Sequence, residues 1–258
     1  MPKVAFLTSG GIAPCLSASI GGLIEKYNEL DPNIQMVGYM HGYRGLLLGK
    51  SVIFSNEVKK NYQVLYGFGG SPIGNSRVKL TNVEDCIKKG FVKEGENPLD
   101  VAAKQLEKDE IDILHTIGGD DTNTMAAALA KHLENSGKSL TVVGLPKTVD
   151  NDVIPVKQTL GAWTAAEQGA RFFQNIVNEN TTSRRQLIIH EVMGRHCGWL
   201  TAGTALEYRK LLDKNEYLPE LFVSKKRWDV HAVYIPEKNI DFKSESVRLR
   251  EIMDENDC

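Results

Sequence analysis

No stretch of this chain approaches the roughly 20 consecutive apolar residues that a membrane-spanning helix needs. The apolar part of the N-terminal Met1–Thr8 is too short for a signal peptide, and it runs into a glycine turn. There is no surplus of basic residues either. Lys and Arg number 31 against 33 Asp and Glu, a net charge of −2. A field that gathers nucleic acid or anionic membrane is therefore excluded. The four cysteines, Cys15, Cys86, Cys197 and Cys258, show no Cys-x-x-Cys spacing. That argues against zinc and for reduced thiols in a cytoplasmic protein. No Gly-x-x-x-x-Gly-Lys-Ser/Thr run occurs, so a P-loop is ruled out. Gly67–Gly74 matches a dinucleotide fingerprint only weakly, because no clean strand precedes it and Pro72 interrupts it.

What is present is an alternation of compact apolar runs and helical stripes. Lys3–Thr8, Ile34–Met40, Ile111–Ile117, Leu140–Leu145, Gln186–Met193 and Asp229–Ile235 read as strands. Between them, Ile20, Leu23, Ile24 and Tyr27 fall at helical spacing after Pro14. Pro98–Lys108 starts a helix on proline, Thr124–Glu134 is alanine-rich, Leu160–Asn178 is helical, and a further helix surrounds Trp199–Leu206. Strands alternating with helices predict an α/β class with a mainly parallel sheet. The segment Thr81–Asn97 is charged and polar and reads as a surface insertion.

Two short loops organise the chain. Gly118-Gly119-Asp120-Asp121-Thr122-Asn123 and Pro146-Lys147-Thr148-Val149-Asp150-Asn151-Asp152 each follow a predicted buried strand. In an open parallel sheet, ligands sit beyond the carboxyl ends of the strands. Together the loops offer four carboxylates, Asp120, Asp121, Asp150 and Asp152, and one cation, Lys147. Such a set cannot share a dry site unpaired, whereas a hard Mg2+ ion and a phosphate partner would reconcile it. The turn Thr8-Ser9-Gly10-Gly11 leads from strand to helix. It can grip phosphate through backbone N–H groups, or it can be a tight turn that needs glycine and binds nothing. Arg77, beside a glycine loop, is on spacing alone a surface arginine; its planar fork also suits a phosphate clamp.

These motifs, with Gly74-Asn75-Ser76-Arg77, Met193-Gly194-Arg195 and Ile235-Pro236-Glu237, stand in the order found in the phosphofructokinase family. The chain resembles that family over essentially its whole length, and in detail its pyrophosphate-dependent branch. The resemblance implies two three-layer αβα domains with mainly parallel sheets. Residues 1–161 would bind the phosphoryl donor, and 162–258 would form a partial fructose-6-phosphate domain. Gly10, Gly11 and Arg77 would hold the donor, the glycines through their N–H groups. Asp120 and Asp152 would hold Mg2+, and Asp150 would be the general base. Thr148, Val149, Met193, Gly194, Arg195 and Glu237 would contact the sugar phosphate. Without the resemblance, Arg195 reads as an ordinary salt-bridge arginine and Glu237 as a solvated turn carboxylate.

Two positions bear on donor choice. The ATP-using branch typically has glycine where this chain has Asp121 and Lys147. A carboxylate at Asp121 would repel the α-phosphate of ATP. At about 4 Å and an effective dielectric of 20, one charge pair is worth roughly 4 kcal/mol. Lys147 would attract the compact pyrophosphate. The resemblance also implies a homo-oligomer, with Arg184 or Arg185 reaching a neighbouring subunit. Family members continue past Glu237 with a segment that closes on the sugar phosphate, whereas this chain stops at Cys258. The expectations are a complete donor half, an incomplete acceptor half, weak fructose 6-phosphate binding and exposed apolar surface. The competing readings are an ATP-dependent phosphofructokinase and a non-catalytic sugar-phosphate-binding subunit.

Overall fold

The computed structural model describes residues 2–11, 13–138 and 140–256. Cys258 and Asp257, the end of the charged C-terminal run, lie outside them. The chain divides into two compact units. One comprises residues 1–148 and 153–161, the other 149–152 and 162–258.

The first unit is built on β1 (Lys3–Thr8), α1 (Leu16–Leu30), β2 (Gln35–Tyr39), α2 (Tyr43–Leu48), β3 (Ser51–Ile53), α3 (Asn56–Lys60), α4 (Val83–Lys88), α5 (Pro98–Lys108), β4 (Ile113–Gly118), α6 (Asp120–Asn135) and β5 (Thr141–Pro146). Its five strands form one sheet in the order β3-β2-β1-β4-β5. All neighbours run parallel except β3, which pairs antiparallel with β2 from Tyr39↔Ser51 to Val37↔Ile53.

Alternation along β1 sends Val4 and Phe6 to one face and Ala5 and Leu7 to the other. Val4 and Phe6 pack with Leu16, Ile20 and Ile24 of α1, while Ala5 and Leu7 pack with residues of α2, α5 and α6. Side chains such as Phe6, Ile20 and Leu114 are fully buried, each worth about 1.5–3 kcal/mol. Both faces are thus covered by helices, as parallel sheets require. Chain order reverses direction between β1 and β4: β1 leads outward to β2, whereas β4 and β5 extend the other side. That is the switch point beyond which open α/β sheets bind ligands.

Pro98 occupies the first turn of α5, where Asn97 accepts from Leu99 N–H at 3.0 Å. Pro14 instead precedes Cys15, the N-cap residue of α1. The Thr81–Asn97 segment is partly helical, as α4, and places Cys86 and Val92 in the core.

The second unit contains α7 (Ala162–Asn180), α8 (Trp199–Leu212), α9 (Lys225–Trp228) and α10 (Phe242–Asn256). Ala170 and Val177 of α7 and Tyr208 and Leu212 of α8 share one core. A Cβ on Gly169 would sit 3.1 Å from Thr204 Oγ1, so the glycine is what permits the close crossing of the two helices. The strands expected at Gln186–Met193 and Asp229–Ile235 are not formed. Both segments run without a hydrogen-bonded ladder among the described residues. A strand exists only through its neighbours, and here Leu187 (63% exposed) and Ile189 (85%) have no covering layer. The two segments instead line an apolar cleft of about 740 Å³ with α7, α8 and α10.

Candidate active site

In the first unit three segments meet at the switch point. The carbonyl of Ile117, near the end of β4, accepts from Ser9 N–H at 3.0 Å, placing the β1 turn against β4. Gly10 has φ +87°, and a Cβ there would stand 3.1 Å from Thr122 Oγ1 and 3.5 Å from Gly119 N. Glycine is therefore required both for the dihedral and for the close approach to the start of α6. The third segment is Gly74–Arg77. Ser76 carbonyl accepts from Gly10 N–H at 2.9 Å, and Asn75 Nδ2 donates to Gly10 carbonyl at 2.6 Å.

This corrects one expectation. The Gly10 N–H donates to Ser76 carbonyl, so it is not free for a phosphate in this arrangement. Gly11 N–H has no protein acceptor among the described residues, so of the two glycines only Gly11 offers a donor. Further N–H groups come from the first turn of α6, a 16-residue helix whose N-terminus attracts anions. Asn123 Nδ2 donates to the carbonyls of Gly118 (2.8 Å) and Gly119 (2.9 Å), which ties the end of β4 to the first turn of α6.

Lys147 is 2% exposed, and its Nζ donates to the Gly11 carbonyl. Its own N–H donates to Gly118 carbonyl at 2.8 Å. One buried cation thus ties the turns after β1, β4 and β5 together. Close by, burial pushes the Cys15 thiol up from its ordinary pKa, against a lowering from the Ser19 hydrogen bond and the charge of Lys147. Arg77 is exposed and has no ion pair among the described residues.

Asp120 and Asp121 form the first turn of α6 rather than a loop ahead of it. Asp120 is exposed and has no partner among the described residues. Asp121 is paired with Lys79 Nζ at 2.8 Å. Lys79 was not singled out from the sequence, although a signal exists. Along Arg77-Val78-Lys79-Leu80, Val78 and Leu80 are buried while Arg77 and Lys79 are exposed. This period-two pattern puts Arg77 and Lys79 on one side of an extended segment.

Thr148 belongs to the first unit, where its carbonyl accepts from Thr159 Oγ1 at 2.7 Å. The rest of its loop, Val149–Asp152, belongs to the second unit, with Asn151 at φ +53°. There, Cys197 Sγ donates to the Asp150 carbonyl at 3.2 Å. Gly194 has φ +146°, and a Cβ on it would lie 2.1 Å from the Cys197 carbonyl and 4.0 Å from Asp150 Oδ1. The structure thus brings Asp150 and the Met193-Gly194-Arg195 turn together, around a glycine that no other residue can replace. Met193 is 69% exposed, and Arg195 is exposed, at φ +43° and without an ion pair among the described residues. The salt-bridge reading of Arg195 is not what is found. Glu237 is not simply solvated: its Oε1 accepts from Gly198 N–H at 2.8 Å, at the start of α8. Arg185 pairs with Asp254 of α10 at 2.5 Å.

Among the described residues no three His, Cys, Asp or Glu side chains converge into a metal cage. Asp120 and Asp152 are each exposed and unpartnered among them. Mg2+ usually keeps several waters and binds one or two carboxylates plus substrate phosphates. Asp120 in the first unit and Asp152 in the second are each a carboxylate of the kind that mode uses.

The phosphofructokinase family model matches residues 3–256 of this chain. The pyrophosphate–fructose 6-phosphate 1-phosphotransferase of Methylomonas methanica is 64% identical over 256 residues, covering 99% of this chain and 63% of that protein. The enzyme of that name from Mastigamoeba balamuthi is 56% identical over 255 residues, covering 99% and 62%. The ATP-dependent 6-phosphofructokinase of Haemophilus ducreyi is 30% identical over 239 residues, covering 90% and 67%. Among solved structures, the pyrophosphate-dependent phosphofructokinase of Marinobacter aquaeolei matches with TM-score 0.76 at 21% identity, covering 99% of this chain and 58% of that one. The chain thus spans a little under two thirds of the length of these two pyrophosphate-dependent relatives. No helix among the described residues is long and apolar enough to cross a membrane. Matched in sequence from residue 3 to 256, with the switch-point turns in place, the chain belongs to the phosphofructokinase family.

Proposed function

We propose that the protein transfers a phosphoryl group from pyrophosphate to the 1-hydroxyl of fructose 6-phosphate, giving fructose 1,6-bisphosphate and phosphate. The observation that carries this reading is the likeness to four relatives named for that reaction, at 55–64% identity. Those named ATP-dependent stand at 29–30%. Geometry of the first unit supports the same donor: Asp121 at the start of α6 disfavours a nucleotide's inner phosphate, and Lys147 at the Gly11 turn favours a compact dianion.

In this reading residues 1–161 bind the donor and 162–258 the acceptor. Gly11 N–H, the first turn of α6, Lys147 and Arg77 hold the pyrophosphate, with Gly10 shaping the turn. Asp120, with Asp152, holds Mg2+, which offsets charge on the phosphates when bound. Thr148, Val149, Met193, Gly194, Arg195 and the second oxygen of Glu237 orient the sugar phosphate. Asp150 takes the proton from the 1-hydroxyl as that oxygen bonds to phosphorus. The bond from phosphorus to the bridging oxygen breaks, and its electrons leave with phosphate. Most of the rate comes from alignment and charge neutralisation. The free thiols Cys15, Cys86 and Cys197 support a cytoplasmic protein, and subunit assembly, with Arg184 or Arg185 reaching a neighbouring subunit, completes the reading. The test is the rate per donor concentration for pyrophosphate and for ATP, with fructose 6-phosphate as acceptor. Preference for ATP overturns the assignment in favour of the ATP-dependent reaction. No turnover with either donor, but saturable sugar-phosphate binding, favours a non-catalytic subunit.

A further inference from the structure

We infer that Cys197 is a positioning residue for Asp150, holding the peptide that aims its carboxylate. The inference rests on the proposed role of Asp150 as base. The turn from Gly194 to Gly198 is fixed at both ends. Cys197 N–H donates to Gly194 carbonyl at 2.7 Å and closes the turn; Gly198 N–H is held by Glu237 Oε1 at 2.8 Å. Gly198 has no spare room, since a Cβ would meet Ile235 Cβ at 2.4 Å and Glu237 Oε2 at 2.6 Å. Gly194 at φ +146° and Arg195 at φ +43° add conformations that few other sequences hold. Such a turn is a rigid base for a contact made from it. The contact is Cys197 Sγ, 3.2 Å from the Asp150 carbonyl. Gly194 independently brackets the other side of the same residue, with its notional Cβ 4.0 Å from Asp150 Oδ1. Asp150 therefore lies between a thiol on its peptide and a glycine against its carboxylate, both from one turn. Its neighbour Asn151, at φ +53°, adds a conformation that few residues hold.

The thiol is a weak hydrogen-bond donor, so its value lies in placement. A misplacement of 1 Å near a reacting centre can cost about 10²-fold, and loss of one weak tie should cost less, roughly tenfold. The test uses the full chain and three variants, Cys197→Ala, Cys197→Ser and Asp150→Asn, with the Asp150→Asn/Cys197→Ala double variant. Hydrogen exchange is read first, because it needs no turnover. Peptides covering residues 149–152 should exchange faster in Cys197→Ala, return toward wild type in Cys197→Ser, and leave α7 and α8 peptides unchanged. In rate assays Cys197→Ala should lower kcat about tenfold with both KM values within twofold, and Cys197→Ser should recover most of the loss. Adding Cys197→Ala to Asp150→Asn should cost nothing further, as for two residues acting through one group. Unchanged exchange at 149–152, or Ala and Ser variants that behave alike, overturns the positioning role. Full turnover by Asp150→Asn overturns the base reading instead, while the exchange data still decide whether Cys197 holds the loop.

Discussion

The two units handle polar loops in opposite ways. In the first, the turns after β1, β4 and β5 hang from strands locked in one register, and a buried lysine ties all three together. In the second, Asp150, Arg195 and Glu237 sit on turns that no sheet supports among the described residues. Two of them make side-chain to backbone contacts: Cys197 to Asp150, Glu237 to Gly198. A ladder fixes many residues at once, so single substitutions in the first unit should act locally and on affinity. Turns held by side-chain contacts and not by a ladder should respond in geometry, and hence in rate.

The largest effect should come from the second unit. Replacing Asp150 by Ala removes a positioned base, worth typically about 10²–10⁴-fold. Turnover should fall by that factor while calorimetry with Mg-pyrophosphate records unchanged affinity. A parallel loss of donor affinity would show that the two units are not separable in this way. Next comes Lys147→Met in the first unit. Hydrogen bonds to charged groups are worth about 1.5–3 kcal/mol, so pyrophosphate should bind some 10- to 100-fold more weakly with little change in kcat at saturation. A kcat effect at saturating donor would reassign Lys147 from binding to the transferring group.

A smaller effect is expected at Asp121. Taken alone, its carboxylate could cost a nucleotide roughly 4 kcal/mol. Lys79, 2.8 Å away, offsets much of that charge. Asp121→Gly should shift the donor ratio toward ATP by about tenfold, or 1.4 kcal/mol. Lys79→Met should move the ratio the other way, by leaving Asp121 uncompensated. Measuring kcat/KM for both donors in both variants checks it; a ratio unmoved in either means that Asp121 does not select the donor.

How much of this was legible beforehand differs between the units for a physical reason. Buried parallel strands such as Ile113–Gly118 advertise themselves as short apolar runs between glycine turns, and their ends carry the site. Gly10, Gly11, Asp121 and Lys147 could be singled out as candidates because strand ends are where turns gather. The same signal misled at Gln186–Met193, since an apolar run shows readiness to pair and cannot show that a neighbour is present. The Gly10 hydrogen bond was invisible because Ser76 is 66 residues away. Lys79 was readable from alternation but hidden by the motif ending at Arg77. The pairing of Cys197 with Asp150 has no local signature at all.

The smallest effect lies inside the sheet of the first unit and separates its stability from its chemistry. His115 on β4 is 7% exposed, stacked on Phe6 at 5.6 Å, with Nε2 hydrogen-bonded to Tyr27 hydroxyl at 2.7 Å. Its Nδ1 is buried without a partner. Burial disfavours the imidazolium and lowers the pKa from 6.5 to about 4. In the unfolded chain the group titrates near 6.5. As pH falls from 6.5 toward 4, the unfolded state takes up a proton that the folded state refuses. Stability should therefore drop with acidification across that window, by at most about 1.4 kcal/mol per pH unit from this group. His115→Gln keeps a polar partner for Tyr27 and removes the titration. The variant will start less stable at neutral pH, because it loses the stacked ring, so slopes rather than absolute values are the readout. Denaturant unfolding of both proteins between pH 7 and 4.5 should give a shallower pH dependence for the variant. Equal slopes would mean that the acid sensitivity of this unit comes from its carboxylates and not from its core.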